Sequence, residues 1–146
     1  MRVLIKGAGD VASGVAYRLH QAGFSLLLTD IAKPTAVRRT VAFSQAIYDG
    51  QVTVEGVTAQ LVENLTTALD CMKKGIIPVM IDEEAAVKRD FAPQIVVDAI
   101  MAKHNLNTSI TDASIVIGLG PGFTAGVDCH AVIETKRGHF LGKVLY

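Results

Sequence analysis

Short unbroken apolar runs alternate along the chain with amphipathic stretches, and glycine punctuates the joins. The runs within Arg2–Lys6, Phe24–Asp30, Ile76–Ile81, Gln94–Ala99 and Ser114–Gly118 lack the apolar–polar alternation of a half-exposed strand. They predict strands buried on both faces, as in a parallel sheet covered by helices. Between the first two, Asp10–Ala22 spaces Val11, Val15 and Leu19 four apart, with Ala12 and Ala16 widening the stripe. That is the period of an amphipathic helix, and Gly23 is placed to end it in a left-handed turn. Leu65, Ala68, Leu69 and Met72 repeat the helical pattern after Asn64, a candidate N-cap, and Gly75 closes the segment.

The remaining segments are less regular. Pro34 breaks any helix entering from Ile31, Ser44–Tyr48 allows one helical turn, and Asp49-Gly50 signals a turn. Gln51–Val62 carries β-branched residues around Gly56, which predicts a hairpin or a bulged strand. Pro78 belongs near a strand start or at a sheet edge, and Asp82–Asp90 reads as a short charged helix. Ala131–Thr135 and Phe140–Tyr146 flank Lys136-Arg137-Gly138-His139 in the manner of a hairpin. Together these predict an α/β fold: a Rossmann-like open, mostly parallel sheet with helices on both faces and a C-terminal β-hairpin. Residues 1–126 form the expected nucleotide- or cofactor-binding domain. Residues 127–146 form a hairpin packed on it or opening an extension.

Composition narrows the function classes. Fourteen basic and fourteen acidic side chains cancel over 146 residues, so no basic field points to nucleic acid or a lipid surface. No apolar stretch approaches membrane-spanning length, and the N-terminal run is too short for a signal peptide. Cys71 and Cys129 stand far apart without a paired motif, which favours a reduced, cytoplasmic protein.

Candidate chemistry gathers at two glycine clusters. Lys6-Gly7-Ala8-Gly9-Asp10 follows the first strand and opens the first helix, with Ser13 and Gly14 in its first turns and Asp30 ending the next strand. A helix N-terminus reached through such a turn attracts anions, and an acid at that later position suits a ribose diol. Asp10 stands where a phosphate would approach, and Lys6 either neutralises Asp10 or holds the phosphate. Asp30 reads equally as a cap for the next turn. Arg38-Arg39 reads as an anion clamp or as a solvated pair. The second cluster, Gly118-Leu119-Gly120-Pro121-Gly122 continuing to Gly126, lacks a following amphipathic helix. It reads as a ligand-facing loop across the crevice or as a tight structural corner. In Asp128-Cys129-His130 only the outer two share a strand face, too few ligands for a structural zinc site, so no metal is expected. No catalytic group emerges from spacing.

The blocks Lys6–Gly14, Thr29-Asp30, Arg38–Val41, Tyr48–Gly50, Val54–Val57, Ile110–Gly126, Val127–Thr135 and Arg137–His139 together resemble one family. The chain is similar to the YqeB-type accessory proteins of selenium-dependent molybdenum hydroxylases, which are related in concept to XdhC-like maturation factors. The resemblance implies a maturation protein that binds a molybdopterin-type cofactor, or its nucleotide form, and delivers it to a molybdenum hydroxylase apo-enzyme. Lys6, Gly7, Gly9, Asp10, Ser13, Asp30, Gly118, Gly120 and Gly122 are the expected binding residues. An NAD(P)-dependent oxidoreductase is the alternative. Members of that family extend well past the equivalent of Gly142-Lys143-Val144, so part of the binding surface is expected beyond Tyr146. The hairpin edge is a candidate for pairing in a homo-oligomer.

Overall fold

The computed structural model describes residues 1–34, 36, 41–135 and 142–146. Its strands are β1 (Arg2–Lys6), β2 (Ser25–Asp30), β3 (Gln51–Val54), β4 (Val57–Val62), β5 (Ile77–Ile81), β6 (Ile95–Asp98), β7 (Ile115–Leu119), β8 (Ala131–Ile133) and β9 (Val144–Leu145). They form one sheet in the order β3-β4-β5-β2-β1-β6-β7-β8-β9. Every pairing is parallel except the two outermost, β3 with β4 and β8 with β9. Without β3, β4 and β9, the chain order across the sheet is 3-2-1-4-5-6, the Rossmann arrangement. The expected α/β class, open sheet and C-terminal strand pair are all present.

Each buried strand feeds two cores because successive side chains point to opposite faces. Val3, Ile5, Leu26 and Leu28 face α1 (Asp10–Gln21) and α2 (Gln45–Asp49) through Ala12, Ala16 and Ala46. Leu4, Leu27, Val96 and Val116 face α3 (Leu65–Lys73) and α4 (Lys88–Phe91) through Ala68, Cys71 and Phe91. Burial on both sides explains why the strand runs are unbroken.

The amphipathic stripe of α1 is rotated from its sequence reading. Ala12, Ser13 and Ala16 are its buried residues, whereas Val11 is 40% exposed. Small side chains let the helix lie close to the sheet, and Val11 is turned to the sheet's C-terminal edge. The charged helix expected over Asp82–Asp90 shortens to α4, because the Asp82 carboxylate accepts the Ala86 and Val87 N–H groups and holds a turn there. The Gln51–Val62 region is a hairpin whose two-residue turn, Glu55-Gly56, has positive φ at both positions. Asn64 caps α3 through a 2.9 Å bond from Thr67 N–H to its Oδ1. Pro78 is the second residue of β5, between β4 and β2. Val132 pairs with Leu145 in the terminal strand pair; its expected turn, Lys136–His139, lies outside the described residues. Among the described residues no helix is long and apolar enough to cross a membrane.

Candidate functional site

Strand β1 ends at Lys6, and Gly7 then turns the chain with φ +104°. A Cβ on Gly7 would stand 2.9 Å from the Ala99 carbonyl oxygen, so both the dihedral and the close approach of backbones require glycine. Gly7 N–H donates to Thr29 O at 2.6 Å, and Ala8 N–H donates to Asp30 Oδ2 at 2.9 Å. The other Asp30 oxygen accepts Ile31 N–H at 2.8 Å. Asp30 therefore staples the glycine turn to the end of β2. Burial raises its pKa, against the opposing pull of these backbone N–H groups.

Helix α1 begins without a side-chain cap, since its N-cap is Gly9. The Gly9 carbonyl accepts Ser13 N–H at 2.8 Å, and a Cβ at Gly9 would meet nothing within 4 Å. This helix start borders a cleft of about 420 Å³ lined by Gly7, Gly9, Asp10 and Val11, by Asp30 and Ile31, and by Ala99–Met101 opposite. Pro34, Ala36 and Ser44 complete its wall. The cleft lies at the carboxyl ends of β1, β2 and β6, where the strand order reverses: β1 leads to β2 on one side, and β6, reached later from β5, lies on the other. Open α/β sheets bind ligands at that switch point. A depression of about 180 Å³ beside His20, Phe24 and Ile77 lies at the other end of the sheet, where strands begin. Met101, on the cleft wall, has a left-handed φ of 65°, a strained conformation for its residue type.

Lys6 is not in that cleft. It is 1% exposed, and Nζ donates to Asn107 Oδ1 at 2.5 Å and to Thr108 Oγ1 at 2.6 Å. The Thr108 hydroxyl donates in turn to Asp98 Oδ2 at 2.5 Å, and Nζ lies 3.9 Å from that same oxygen. The carboxylate answering Lys6 is therefore Asp98, not the Asp10 that the sequence suggested. Desolvation lowers the Lys6 pKa, with the Asp98 charge opposing it. Asp98, Asn107 and Thr108 escaped the sequence reading. A signal existed for Asp98: it ends the next buried run, and it pairs with Lys6 in the β1–β6 register.

The other expected residues have structural partners. Ser13 is buried outside the cleft lining; its hydroxyl donates to Ala8 O at 3.1 Å and accepts Phe43 N–H at 2.8 Å. Gly118 lies under the Phe123 ring, 2.6 Å from an added Cβ. Gly120 approaches Met101 and Thr135, and Gly122 approaches the His104 backbone. Gly120 and Gly122 thus back the segment after β6 whose Ala99–Met101 stretch walls the cleft, Gly118 packs under Phe123, and none of the three lines the cleft itself. Val116 N–H donates to His130 Nδ1 at 2.9 Å, and Thr124 N–H to Asp128 Oδ2 at 2.9 Å. Cys129 is buried, which pushes its thiol pKa up. Among the described residues no group of three or more His, Cys, Asp or Glu is placed to hold a metal ion. Arg38 and Arg39 lie outside the described residues.

The chain is similar to a protein of Escherichia coli (strain K12) named "Uncharacterized protein YqeB". The two are 55% identical over 144 residues, covering 99% of this chain and 27% of that protein. The chain thus spans about a quarter of the length of the relative it matches. No family model matches the sequence. No solved structure matches it either.

Proposed function

We propose that the protein is an accessory factor for a selenium-dependent molybdenum hydroxylase, binding a molybdopterin-type cofactor or its nucleotide form for delivery to the apo-enzyme. The observation that carries the binding step is the uncapped start of α1 opening on the 420 Å³ cleft at the sheet's switch point. Backbone N–H groups there and the helix dipole favour the cofactor's phosphate, and the volume lies within the usual range for small-molecule sites. Gly9 leaves space for the phosphate over the helix start. The Asp10 and Asp30 carboxylates on the same cleft disfavour a bare anion, which sets the phosphate toward Gly9 and away from Asp30. The hydroxylase role is carried over from the resemblance of the sequence blocks to the YqeB-type accessory proteins, and the 55% identity to YqeB supports that kinship alone.

Isothermal titration with molybdenum cofactor, its dinucleotide form and NAD(H) tests this reading. Saturable binding of the pterin forms is expected; saturable binding of NAD(H) alone would sink it. Asp30 at the end of β2 is what favours the nicotinamide alternative. That alternative predicts hydride transfer and loss of NAD binding in Asp30→Ala.

A further inference from the structure

A second, smaller cavity of about 60 Å³ adjoins the cleft and shares Gly7, Asp30, Ile31 and Ile100 with it. Its distinguishing residues are Lys6, Thr29, Glu83 and Leu106. The cavity combines three kinds of recognition group. Lys6 is a buried cation with two of its three ammonium N–H groups engaged by Asn107 and Thr108. Glu83 is a carboxylate with no hydrogen bond or ion pair to the described residues. Ile31, Ile100 and Leu106 supply aliphatic walls, and Ile31 and Leu106 are 41% and 57% exposed.

We infer that this cavity takes the polar edge of a 2-amino-4-oxopyrimidine ring, the edge common to pterins and guanine. The ring carbonyl accepts from Lys6, and the adjacent N–H and amino groups donate to Glu83. A plain anion is disfavoured because Glu83 and Asp30 share the cavity with a single cation. A plain cation is disfavoured because Lys6 forms part of the wall. A planar group carrying one acceptor beside paired donors satisfies both signs of charge, and the aliphatic walls suit its faces. The inference deepens the proposed function and rests on it: one ligand reaches from the α1 start, where its phosphate lies, into the cavity with its ring. Lys6 thereby becomes a ring-recognition residue rather than a phosphate ligand.

The test compares pterin (2-amino-4-oxopteridine), lumazine (its 2,4-dioxo analogue), guanosine and adenosine by fluorescence or calorimetric titration. Lumazine is isosteric but presents an acceptor where pterin presents its amino group. Pterin is expected to bind at least about tenfold more tightly than lumazine, as an unmade hydrogen bond to a charged group implies. Guanosine should likewise exceed adenosine if the site reads the shared ring edge; pterin binding without guanosine binding assigns the cavity to pterins alone. In Glu83→Gln the pterin–lumazine preference should narrow or invert, because the new amide donates to the lumazine oxygen. Glu83 is exposed, so an unchanged Tm accompanies that result. Equal pterin and lumazine affinities, or a tenfold preference intact in Glu83→Gln, overturn the inference. Molybdenum cofactor binding that is indifferent to Glu83→Gln overturns it while leaving the proposed function standing. Pterin discrimination without molybdenum cofactor binding does the reverse, and no binding of either overturns both.

Discussion

The Asp30 carboxylate accepts the Ala8 backbone N–H at 2.9 Å, so an acid occupies part of the glycine turn that sequence motifs assign to phosphate. The contact bears on the proposed binding mode. In that mode the phosphate would sit at the Gly9 end of the turn, over the uncapped helix start, while Asp30 keeps the turn attached to β2.

Asp30 gives stability a pH dependence with a defined sign. Its folded pKa lies above the ordinary 3.8, so between those values the native state holds more protons than the unfolded chain. Stability from this group therefore falls as pH rises from near 3.8 through the folded pKa. Asp30→Asn removes the titration. The wild type should lose ground to Asp30→Asn as pH increases through that window, read from urea melts at several pH values. Parallel stability profiles for the two proteins would contradict the burial argument.

Gly7 and Gly9 should separate stability from binding. Gly7→Ala places a Cβ 2.9 Å from Ala99 O at φ +104° and should destabilise by about 1–3 kcal/mol. Gly9→Ala meets no atom within 4 Å and has an ordinary φ of −76°, so stability should change by less than about 1 kcal/mol. Its methyl group projects where the ligand phosphate is proposed, so affinity for molybdenum cofactor should drop. Denaturation and titration on the same two variants check both halves.

The buried charge pair predicts strong coupling. Lys6→Met leaves Asp98 buried with Thr108 and no cation, which should cost about 3–5 kcal/mol. Asp98→Asn made on that background should recover part of the loss, because the orphaned charge is gone. The double-mutant cycle should show non-additivity above about 1 kcal/mol. Additive effects would mean that Lys6 and Asp98 do not act as a unit. Desolvation also lowers the folded Lys6 pKa below 10.5, so over that window the unfolded chain binds more protons and the wild type gains stability as pH rises. Lys6→Met should lack that gain.

Much of the fold was legible because each buried strand leaves an unbroken apolar run, and glycine or a cap marks where helices stop and start. The Leu65 helix, with Asn64 before it and Gly75 after, illustrates how local these signals are. The site was less legible because its partners are distant in sequence. Lys6 meets Thr108 across 102 positions, and no local rule pairs a strand-end lysine with a loop threonine. Register offered a partial route, since Lys6 and Asp98 end neighbouring strands. The Ser13 contact was hidden for the same reason: its partner, Phe43, comes from the irregular segment after Pro34. The Gly118–Gly122 cluster signalled close approach but not its objects, which are the Phe123 ring for Gly118, Met101 and Thr135 for Gly120 and the His104 backbone for Gly122.

That backing role yields the last prediction. Gly122 has φ +96°, and an added Cβ would stand 2.6 Å from His104 Cα, a backbone atom that cannot rotate aside. Gly118 has ordinary φ, and its obstacle is the Phe123 ring, a side chain able to shift. Gly122→Ala should therefore loosen the 99–107 segment, raising amide exchange there and weakening ligand binding at the cleft that Ala99–Met101 wall. Gly118→Ala should be the milder change, and Phe123→Ala on that background should relieve it. Hydrogen exchange resolved over residues 99–107 distinguishes the cases. If Gly122→Ala leaves exchange in that segment unchanged, the second glycine cluster does not brace the cleft wall.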